Sequence, residues 1–324
     1  MRYFVTGGAG FIGSNYVRGL LGGAWGVDVE SVTVFDAFTY AGNMANLEAV
    51  ANDPRLSLVT GDIRIASDID GAIPGHDVVV HFAAESHVDR SIESSSVFVT
   101  TNVLGTQQML EAAMRWGIAT FVHVSTDEVY GSISEGSWDE NQPLHPNSPY
   151  AASKASSDLF ARSYAHTYGL DVRITRCSNN FGVYQYPEKV IPLFITNLID
   201  GLKVPLYGDG LNIRDWLHVD DHCRGIELVV QGGRSGEVYN IGGGTELTNR
   251  ELTSLILSTF GVGDEMIQPV ADRPGHDRRY SLDWSKINSE LGYKPTTSLD
   301  SSIGEVVDWY RSHESWWRPL KEKK

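Results

Sequence analysis

The sequence predicts an α/β protein in which a doubly wound parallel sheet is joined to a smaller, interleaved second domain. Short, almost continuously apolar runs alternate with longer helix-like segments up to about residue 175. This pattern is typical of parallel strands that are buried on both faces. A glycine-rich turn follows the first of these runs. The length of 324 residues exceeds that of one typical domain and favours a second, smaller one.

Six strands are predicted in the first part of the chain. They are Tyr3–Val5, Val32–Phe35, Leu56–Val59, Val78–Phe82, Phe121–Val124 and Val172–Thr175. Because helix-like segments separate them, the strands are expected to run parallel in one domain over residues 1–175.

Beyond residue 175 the sequence predicts a smaller, loop-rich domain, residues 176–324, in which Pro, Gly and aromatic residues are scattered among short segments. A helix from His218 to Val230 and a strand at Val238–Ile241 are expected to return the chain to the first domain at residues 216–241. The two domains would then interleave. The tail, residues 322–324, is expected to fray.

The composition excludes several classes of protein. A net charge of −15 argues against nucleic acid or an anionic membrane as partner, although local cations can still bind an anionic small molecule. Cys177 and Cys223 are too few for a disulfide framework and are not spaced as metal ligands, so no metal is expected. No run approaches the roughly 18 apolar residues of a membrane span. A strand begins at Arg2 with no signal peptide before it, so a cytoplasmic protein is expected.

The glycine-rich turn is the first candidate functional motif. Gly7, Gly10 and Gly13 follow a GxxGxxG spacing between the first strand and a helix. Small residues there let the backbone approach a pyrophosphate at the helix N-terminus, although a plain tight turn has the same spacing. Asp36, at the end of the second strand, would bond the ribose 2′-hydroxyl and repel a 2′-phosphate. The motif therefore predicts a Rossmann-type site for NAD rather than NADP.

Two further strand ends are expected to contact the same cofactor. Asp62 and Ile63 follow the third strand and would meet the adenine, and Ala83 and Ala84 follow the fourth and would line the ribose and pyrophosphate. A strand-end packing role would account for them as well.

Tyr150 and Lys154 lie four residues apart, on one face of a predicted helix. An ammonium group held there favours the phenolate, so Tyr150 is expected to have a lowered pKa and to serve as a base near neutral pH. The spacing alone also describes an ordinary exposed helix face.

Asp127 and Glu128 are adjacent carboxylates. Crowding pushes the pKa of one carboxyl up and leaves the other ionised. Because neighbouring residues of a regular strand point to opposite faces, both can reach one substrate only if the chain leaves strand geometry after Thr126.

Together these motifs resemble the extended short-chain dehydrogenase/reductase superfamily and, more narrowly, the dTDP-glucose 4,6-dehydratase family, over nearly the whole chain. The matching stretches are Gly7–Gly13, His81–Ser91, Ser125–Gly131, Tyr150–Lys154, Arg176–Asn180, Pro187–Lys189, Pro205–Gly210, Arg214–Trp216 and Asp272–Asp277. The glycine motif and Tyr-x-x-x-Lys mark only the superfamily, whereas Thr126–Glu128 and Glu85–Ser91 are specific to the dehydratases. Phe181–Val183 departs from the usual Tyr-Gly-Pro, which affects loop stiffness more than chemistry.

The resemblance implies a redox-neutral cycle on dTDP-glucose. Tyr150, assisted by Lys154, takes the proton of the 4-hydroxyl while hydride moves from C4 to NAD. Glu128 removes the C5 hydrogen, and protonated Asp127 delivers a proton to the departing 6-hydroxyl. The hydride then returns to C6, and C5 is reprotonated to give the 4-keto-6-deoxy sugar. Thr126 would hold the 4-oxygen beside Tyr150.

The resemblance also implies two sets of binding residues. To the cofactor it adds Phe11, Ile12, Ala37, Phe38, Thr39, Ser86, Thr101, Tyr150, Lys154 and Asn180. To the substrate it assigns Ser86, Thr126, Asn179, Lys189, Val190, Pro205, Tyr207, Arg214, Asn249, Arg273, His276 and Tyr280, with Tyr207 on the base. Without the motif context, each Arg or Lys would be an ordinary surface charge. His81 and His123 are interpreted as core histidines, and Trp309, Trp316 and Trp317 as packing.

A homodimer is expected as well. Helices over Thr101–Trp116 and Ala151–Tyr168 have apolar or small residues on more than one face, and Phe160, Tyr164 and Tyr168 form an i, i+4 stripe. The resemblance implies that these helices pair into a four-helix bundle, although packing onto the sheet would produce the same pattern.

Three other functions share part of this sequence pattern. A UDP-hexose 4-epimerase has the same fold, NAD, Tyr and Lys but no use for a carboxylate pair, and a sugar-nucleotide decarboxylase is disfavoured for the same reason. A catalytically silent NAD-sensing scaffold would be suspected if Tyr150, Lys154 or Glu128 were lost, and all three are present. The pair Asp127–Glu128 therefore distinguishes a dehydratase from the epimerase and from the decarboxylase.

Overall fold

The computed structural model describes residues 1–322. Its strands are β1 (Arg2–Thr6), β2 (Ser31–Asp36), β3 (Leu56–Thr60), β4 (Val78–His81), β5 (Thr120–Thr126), β6 (Val172–Cys177), β7 (Asn179–Phe181), β8 (Val204–Tyr207), β9 (Ile213–His218), β10 (Val238–Ile241), β11 (Glu246–Thr248) and β12 (Ile267–Val270). Its α-helices are α1 (Phe11–Leu21), α2 (Ala66–Ala72), α3 (Val88–Glu93), α4 (Ser96–Phe98), α5 (Thr106–Arg115), α6 (Pro149–Tyr168), α7 (Val190–Ile199), α8 (Val219–Gly232), α9 (Asn249–Phe260), α10 (Ser285–Leu291), α11 (Leu299–Ser312) and α12 (Glu314–Glu322). A π-helical turn spans Val99–Gly105, and 3₁₀ turns span Met44–Val50, Asp127–Tyr130 and Asp264–Met266.

A seven-stranded parallel sheet forms the centre of the molecule, in the order β10-β6-β5-β4-β1-β2-β3. The predicted doubly wound α/β fold is confirmed, and all six predicted strands belong to this sheet. The order reverses between β1 and β4, which is the switch point where doubly wound sheets bind ligands beyond their carboxyl ends.

Apolar side chains cover both faces of the sheet. One face packs on α1 and α8 through Tyr16, Leu20 and Ile226, and the other packs on α5 and α6 through Met109 and Ala161. Burial on both faces explains why these strands are almost continuously apolar in sequence. A separate core lies among α7, α9, α11 and α12.

The chain returns to the sheet after β9. Helix α8 begins at Val219 with His218 as its cap, and β10 pairs in parallel with β6. On this layout we propose the division expected from the sequence, with residues 1–175 and the return at 216–241 as one domain and most of 176–324 as the other. Fraying was predicted for residues 322–324; Glu322 is the last residue of α12, and Lys323 and Lys324 lie outside the described residues.

Within residues 1–322, no helix is both long and apolar enough to cross a membrane.

Candidate active site

A cavity of about 440 Å³ lies at the carboxyl ends of the central strands, within the usual size range of small-molecule sites. Its wall is formed by the glycine-rich turn, by the strand ends after β2, β3, β4 and β5, and by the first turns of α6. The five predicted catalytic residues all line it. They are Thr126, Asp127, Glu128, Tyr150 and Lys154.

The glycines of the turn allow its backbone to pack closely on itself and on the residues that follow β4. Gly7 has a φ of +66°, and a Cβ there would lie 2.7 Å from the Ala83 nitrogen. A Cβ at Gly13 would collide with the Gly7 carbonyl. Helix α1 starts after Gly10 with no side chain capping its first N–H groups. These free amides, together with the helix dipole, fit a pyrophosphate.

Asp36 ends β2 beside this turn and is largely buried. Its two carboxylate oxygens accept hydrogen bonds from the backbone N–H of Ala9 at 3.0 Å and of Phe38 at 2.8 Å. Burial raises the pKa of Asp36, and these two N–H donors oppose that shift. The fixed carboxylate lines the cavity, as a ribose-binding acid must.

The predicted cofactor residues converge on the cavity with one exception. Those that line it are Gly7, Gly10, Phe11, Ile12, Gly13, Asp36, Ala37, Thr39, Asp62, Ile63, Ala83, Ala84, Ser86, Thr101, Tyr150, Lys154 and Asn180. Phe38 does not line the cavity. It has a φ of +48° and packs against the core beside α1 and the sheet, so its contribution is the N–H that holds Asp36.

The two carboxylates reach one cavity because strand β5 ends at Thr126. Asp127–Tyr130 forms a 3₁₀ turn, and the Thr126 hydroxyl caps it by accepting a hydrogen bond from the Glu128 N–H. The expected departure from strand geometry is confirmed. Asp127 and Glu128 therefore do not point to opposite faces of a continuous strand, and both line the site.

Burial and neighbouring charges set the two carboxyl groups apart. The pKa of Asp127 is raised well above its usual range, mainly by burial and then by the charges of Glu128 and Asp215. Its Oδ2 atom is buried without a hydrogen-bond partner. A protonated carboxyl group fits this position, because its O–H is free to donate to a ligand. Burial also raises the pKa of Glu128, but Arg273, Arg214 and Lys189 oppose this shift. The arrangement favours a neutral Asp127 beside an ionised Glu128.

Tyr150 and Lys154 are buried on the first two turns of α6. Ser148 caps this helix by accepting from the Ala151 N–H, and Pro149 occupies its first turn. The Lys154 ammonium donates to the Val124 carbonyl at 2.9 Å, and burial lowers its pKa to about 8.

The expected lowering of the pKa of Tyr150 was wrong for this arrangement. Burial, followed by the charges of Glu128, Cys177 and Asp127, raises that pKa well above its usual value. Desolvation of the phenolate and two nearby carboxylates outweigh an ammonium group that bonds a carbonyl.

The predicted substrate residues fall into two groups. Ser86, Thr126, Asn179 and Lys189 line the cavity. The others do not line it, namely Val190, Pro205, Tyr207, Arg214, Asn249, Arg273, His276 and Tyr280. Among these, Arg214 stacks over Tyr280 and Arg273 pairs with Asp89 at 3.5 Å. Arg214 and Arg273 nevertheless lie near enough to oppose the rise in the pKa of Glu128. They therefore adjoin the end of the cavity that holds Glu128.

Several lining residues were not predicted from the sequence. They include Asn43, Asn46, Cys177, Ser178, Tyr184, Gln185, Tyr186, Trp316 and Leu320. Cys177 and Ser178 fall within the matching stretch Arg176–Asn180, whereas the others come from loops, turns or the C-terminal helix and no motif marks them. Trp316 was expected only to pack.

The histidines expected in the core are there. His81 hydrogen-bonds the hydroxyls of Thr6 and Thr106, and His123 hydrogen-bonds Ser157. Burial lowers the pKa of both rings. Among the described residues, no group of His, Cys, Asp or Glu side chains is placed to hold a metal ion.

This fold and site define a Rossmann-type enzyme of the short-chain dehydrogenase/reductase class, with an added carboxylate pair. The family described as GDP-mannose 4,6 dehydratase matches residues 4–306. A dTDP-glucose 4,6-dehydratase of Streptomyces antibioticus is 60% identical over 100% of this chain and 96% of its own length. The chain belongs to the dTDP-glucose 4,6-dehydratase family.

Solved structures agree with this assignment. DesIV, a dTDP-glucose 4,6-dehydratase from Streptomyces venezuelae crystallised with NAD, superposes with a TM-score of 0.98 at 61% identity over 99% of this chain and 100% of that one. A UDP-glucose 4-epimerase of Thermus thermophilus, in complex with NAD, superposes with a TM-score of 0.87 at 32% identity over 97% and 100%. The dehydratase is thus more similar to this chain than the epimerase is.

Proposed function

We propose that the protein is an NAD-dependent dTDP-glucose 4,6-dehydratase, a hydro-lyase of deoxysugar biosynthesis that forms dTDP-4-keto-6-deoxyglucose. The observation that carries the proposal is the pair of buried Asp127 and partly buried Glu128 on the wall that also holds Tyr150. An epimerase or decarboxylase has no need of such a pair. Relatives at 57–60% identity bear the dehydratase name.

Each side chain has a distinct task in this proposal. Bound NAD supplies a hydride acceptor for C4 of the sugar and later the donor for C6. Tyr150 takes the proton of the 4-hydroxyl, and the Lys154 ammonium offsets the negative charge that develops on the phenol. Glu128 removes the C5 proton, which the 4-ketone acidifies. Asp127 gives its proton to the departing 6-hydroxyl, and Thr126 positions the 4-oxygen.

The cofactor is NAD rather than NADP in this proposal. The uncapped N–H groups at the start of α1 fit a pyrophosphate. Two backbone N–H groups hold the Asp36 carboxylate at the cavity wall. A 2′-phosphate would face this negative charge, whereas a 2′-hydroxyl can donate to it.

The dTDP diphosphate would contact the cations beside Glu128. Lys189 lines the cavity, where its ammonium donates to the Ser86 carbonyl at 2.9 Å. The charges of Arg214 and Arg273 act on Glu128, and the charge of Arg273 also acts on Lys189. In a chain with net charge −15, this local excess of cations supports a doubly charged substrate.

Incubation with dTDP-glucose tests the function directly. We expect conversion to a 4-keto product, measured by the absorbance that such ketones develop in alkali, without net consumption of NAD. UDP-galactose and UDP-glucose serve as the epimerase control. Interconversion of those two sugars, with no ketone from dTDP-glucose, would contradict the proposal.

We also propose a homodimer built on α5 and α6. Large apolar side chains stay exposed on this part of the surface, including Val99, Leu104, Leu159, Phe160 and Tyr168. Each is at least 40% exposed, and Tyr164, within the same stripe, is buried. Exposed apolar side chains on α6 and on the neighbouring π-helical turn that leads into α5 support pairing into a four-helix bundle.

Light scattering tests the dimer. We expect the wild type to have twice the mass of one chain and Leu159→Arg to be a monomer, because an arginine pair would be desolvated at the two-fold interface. Leu202→Arg is the matched control, since Leu202 is 52% exposed but lies beyond the end of α7. A monomeric wild type would refute the dimer.

A cytoplasmic location is the last part of the proposal. Cys177 and Cys223 are both free thiols, which supports a reducing compartment.

A further inference from the structure

Helix α12 contributes a wall to the cofactor end of the cavity, although it is far from the glycine turn in sequence. Trp316 and Leu320 line the cavity together with Asn46 of the 3₁₀ turn Met44–Val50. The indole N–H of Trp316 donates to the Asn46 Oδ1 at 2.9 Å. Neither the glycine motif nor the acid of β2 predicts this contact.

Asn46 connects Trp316 to the phosphate-binding turn. Its Nδ2 donates to the Ala9 carbonyl at 2.8 Å, and Asn46 is almost fully buried. The Ala9 N–H in turn donates to Asp36 at 3.0 Å. A continuous series of hydrogen bonds therefore runs from α12 through the glycine turn to Asp36.

The aromatic neighbours of Trp316 reinforce this connection. Tyr184 has a φ of +65° and its ring packs edge-on to Trp316 at 5.7 Å. The Arg18 guanidinium lies 4.1 Å from the same tyrosine ring and also donates to the Asn46 carbonyl. The cluster thus ties α12 to α1, whose N-terminus faces the cavity.

The opposite side of α12 is anchored in the smaller core. Trp317 is fully buried there, and its indole donates to the Tyr310 carbonyl at 2.8 Å. Lys321 and Arg318 pair with Asp200 at 2.7 and 2.9 Å. Because α12 is anchored on this side, its other side can act as a fixed wall rather than a loose tail.

We propose that α12 closes the pyrophosphate end of the cofactor site and that Trp316 is a positioning residue that slows NAD release. This inference rests on the proposed NAD dependence. In that function the cofactor is reduced and then reoxidised within one turnover, so NAD has no chemical reason to leave. A wall that spans both domains keeps it in place, because NAD cannot depart along this side unless α12 moves.

The rate of cofactor exchange tests the role of Trp316. Protein purified with resident NAD is mixed with excess isotopically labelled NAD, and exchange of the bound pool is followed by mass spectrometry. Trp316→Phe keeps an aromatic ring but removes the donor to Asn46. We expect it to exchange NAD about two- to tenfold faster than the wild type, the range for loss of one hydrogen bond.

Trp116→Phe is the matched control. It also loses one indole hydrogen bond, from the Trp116 N–H to the Asp70 carboxylate at 2.8 Å, but Trp116 does not line the cavity. It should exchange NAD at the wild-type rate. Equal acceleration in both variants, or none in Trp316→Phe, would overturn the inference and leave the proposed function standing. A wild type that binds no NAD would overturn both.

Discussion

Tyr150→Phe should abolish the oxidation step, with a loss on the order of 100-fold or more, the usual scale for a general base. The phenol is buried on the cavity wall beside Glu128 and Asp127. The phenylalanine keeps the ring and its packing against Phe98. Single-turnover mixing with dTDP-glucose, monitored by the absorbance of reduced nicotinamide, measures this step directly.

Tyr164→Phe is the matched control. Tyr164 lies on the same helix, is buried and also has a raised pKa, but it does not line the cavity. The Tyr164→Phe variant should oxidise the sugar at the wild-type rate. If Tyr150→Phe forms reduced cofactor at the wild-type rate, the assignment of Tyr150 as base is wrong.

Asp127→Asn should separate oxidation from elimination. Asparagine keeps the size and hydrogen bonding of Asp127 but has no acidic proton for the 6-hydroxyl, so release of the ketone should fall by about 100-fold or more. Oxidation at C4 does not need this proton. Reduced nicotinamide should therefore accumulate in the same single-turnover experiment, while little 4-keto product is released.

Elimination by the wild type should also depend on pH. The pKa of Asp127 is raised, so the acid stays protonated above the ordinary range of carboxyl groups and loses its proton only as the pH rises through that raised pKa. Elimination should slow as this proton is lost, and Asp127→Asn should lack this pH dependence. Glu140→Gln is the control variant, because Glu140 is another partly buried carboxyl with a raised pKa but lies outside the cavity. Wild-type turnover by Asp127→Asn would refute the role of Asp127 as the acid.

Much of the cofactor end was predictable because its contacts are local. The glycine turn, Asp36 and the residues after β3 and β4 all lie within a few residues of a strand end, and parallel strands bring their carboxyl ends to one edge. Phe38 was the exception. Its backbone N–H holds Asp36, while its ring packs against the core. A sequence motif does not show whether a residue lines the cavity with its side chain or contributes only its backbone.

The substrate end was less predictable because it depends on loops far apart in sequence. Arg214 and Arg273 come from β9 and from the segment after β12, and only folding places them beside Glu128. Their match to the family motif identified them, but it did not show that they lie outside the main cavity. Trp316 had no motif at all, and its hydrogen bond spans 270 residues.

The sequence by itself determined the class of fold, the position of the glycine-rich turn and the placement of Tyr150 and Lys154 on one helix. These follow from apolar periodicity and from short spacings, which act over a few residues. Tertiary structure alone decided the protonation of the site. Burial raises the pKa of Asp127, Glu128 and Tyr150. Arg214 opposes that rise at both carboxylates, and Arg273 and Lys189 also oppose it at Glu128. Desolvation and long-range charge depend on what surrounds a group in space, and no local pattern contains that information.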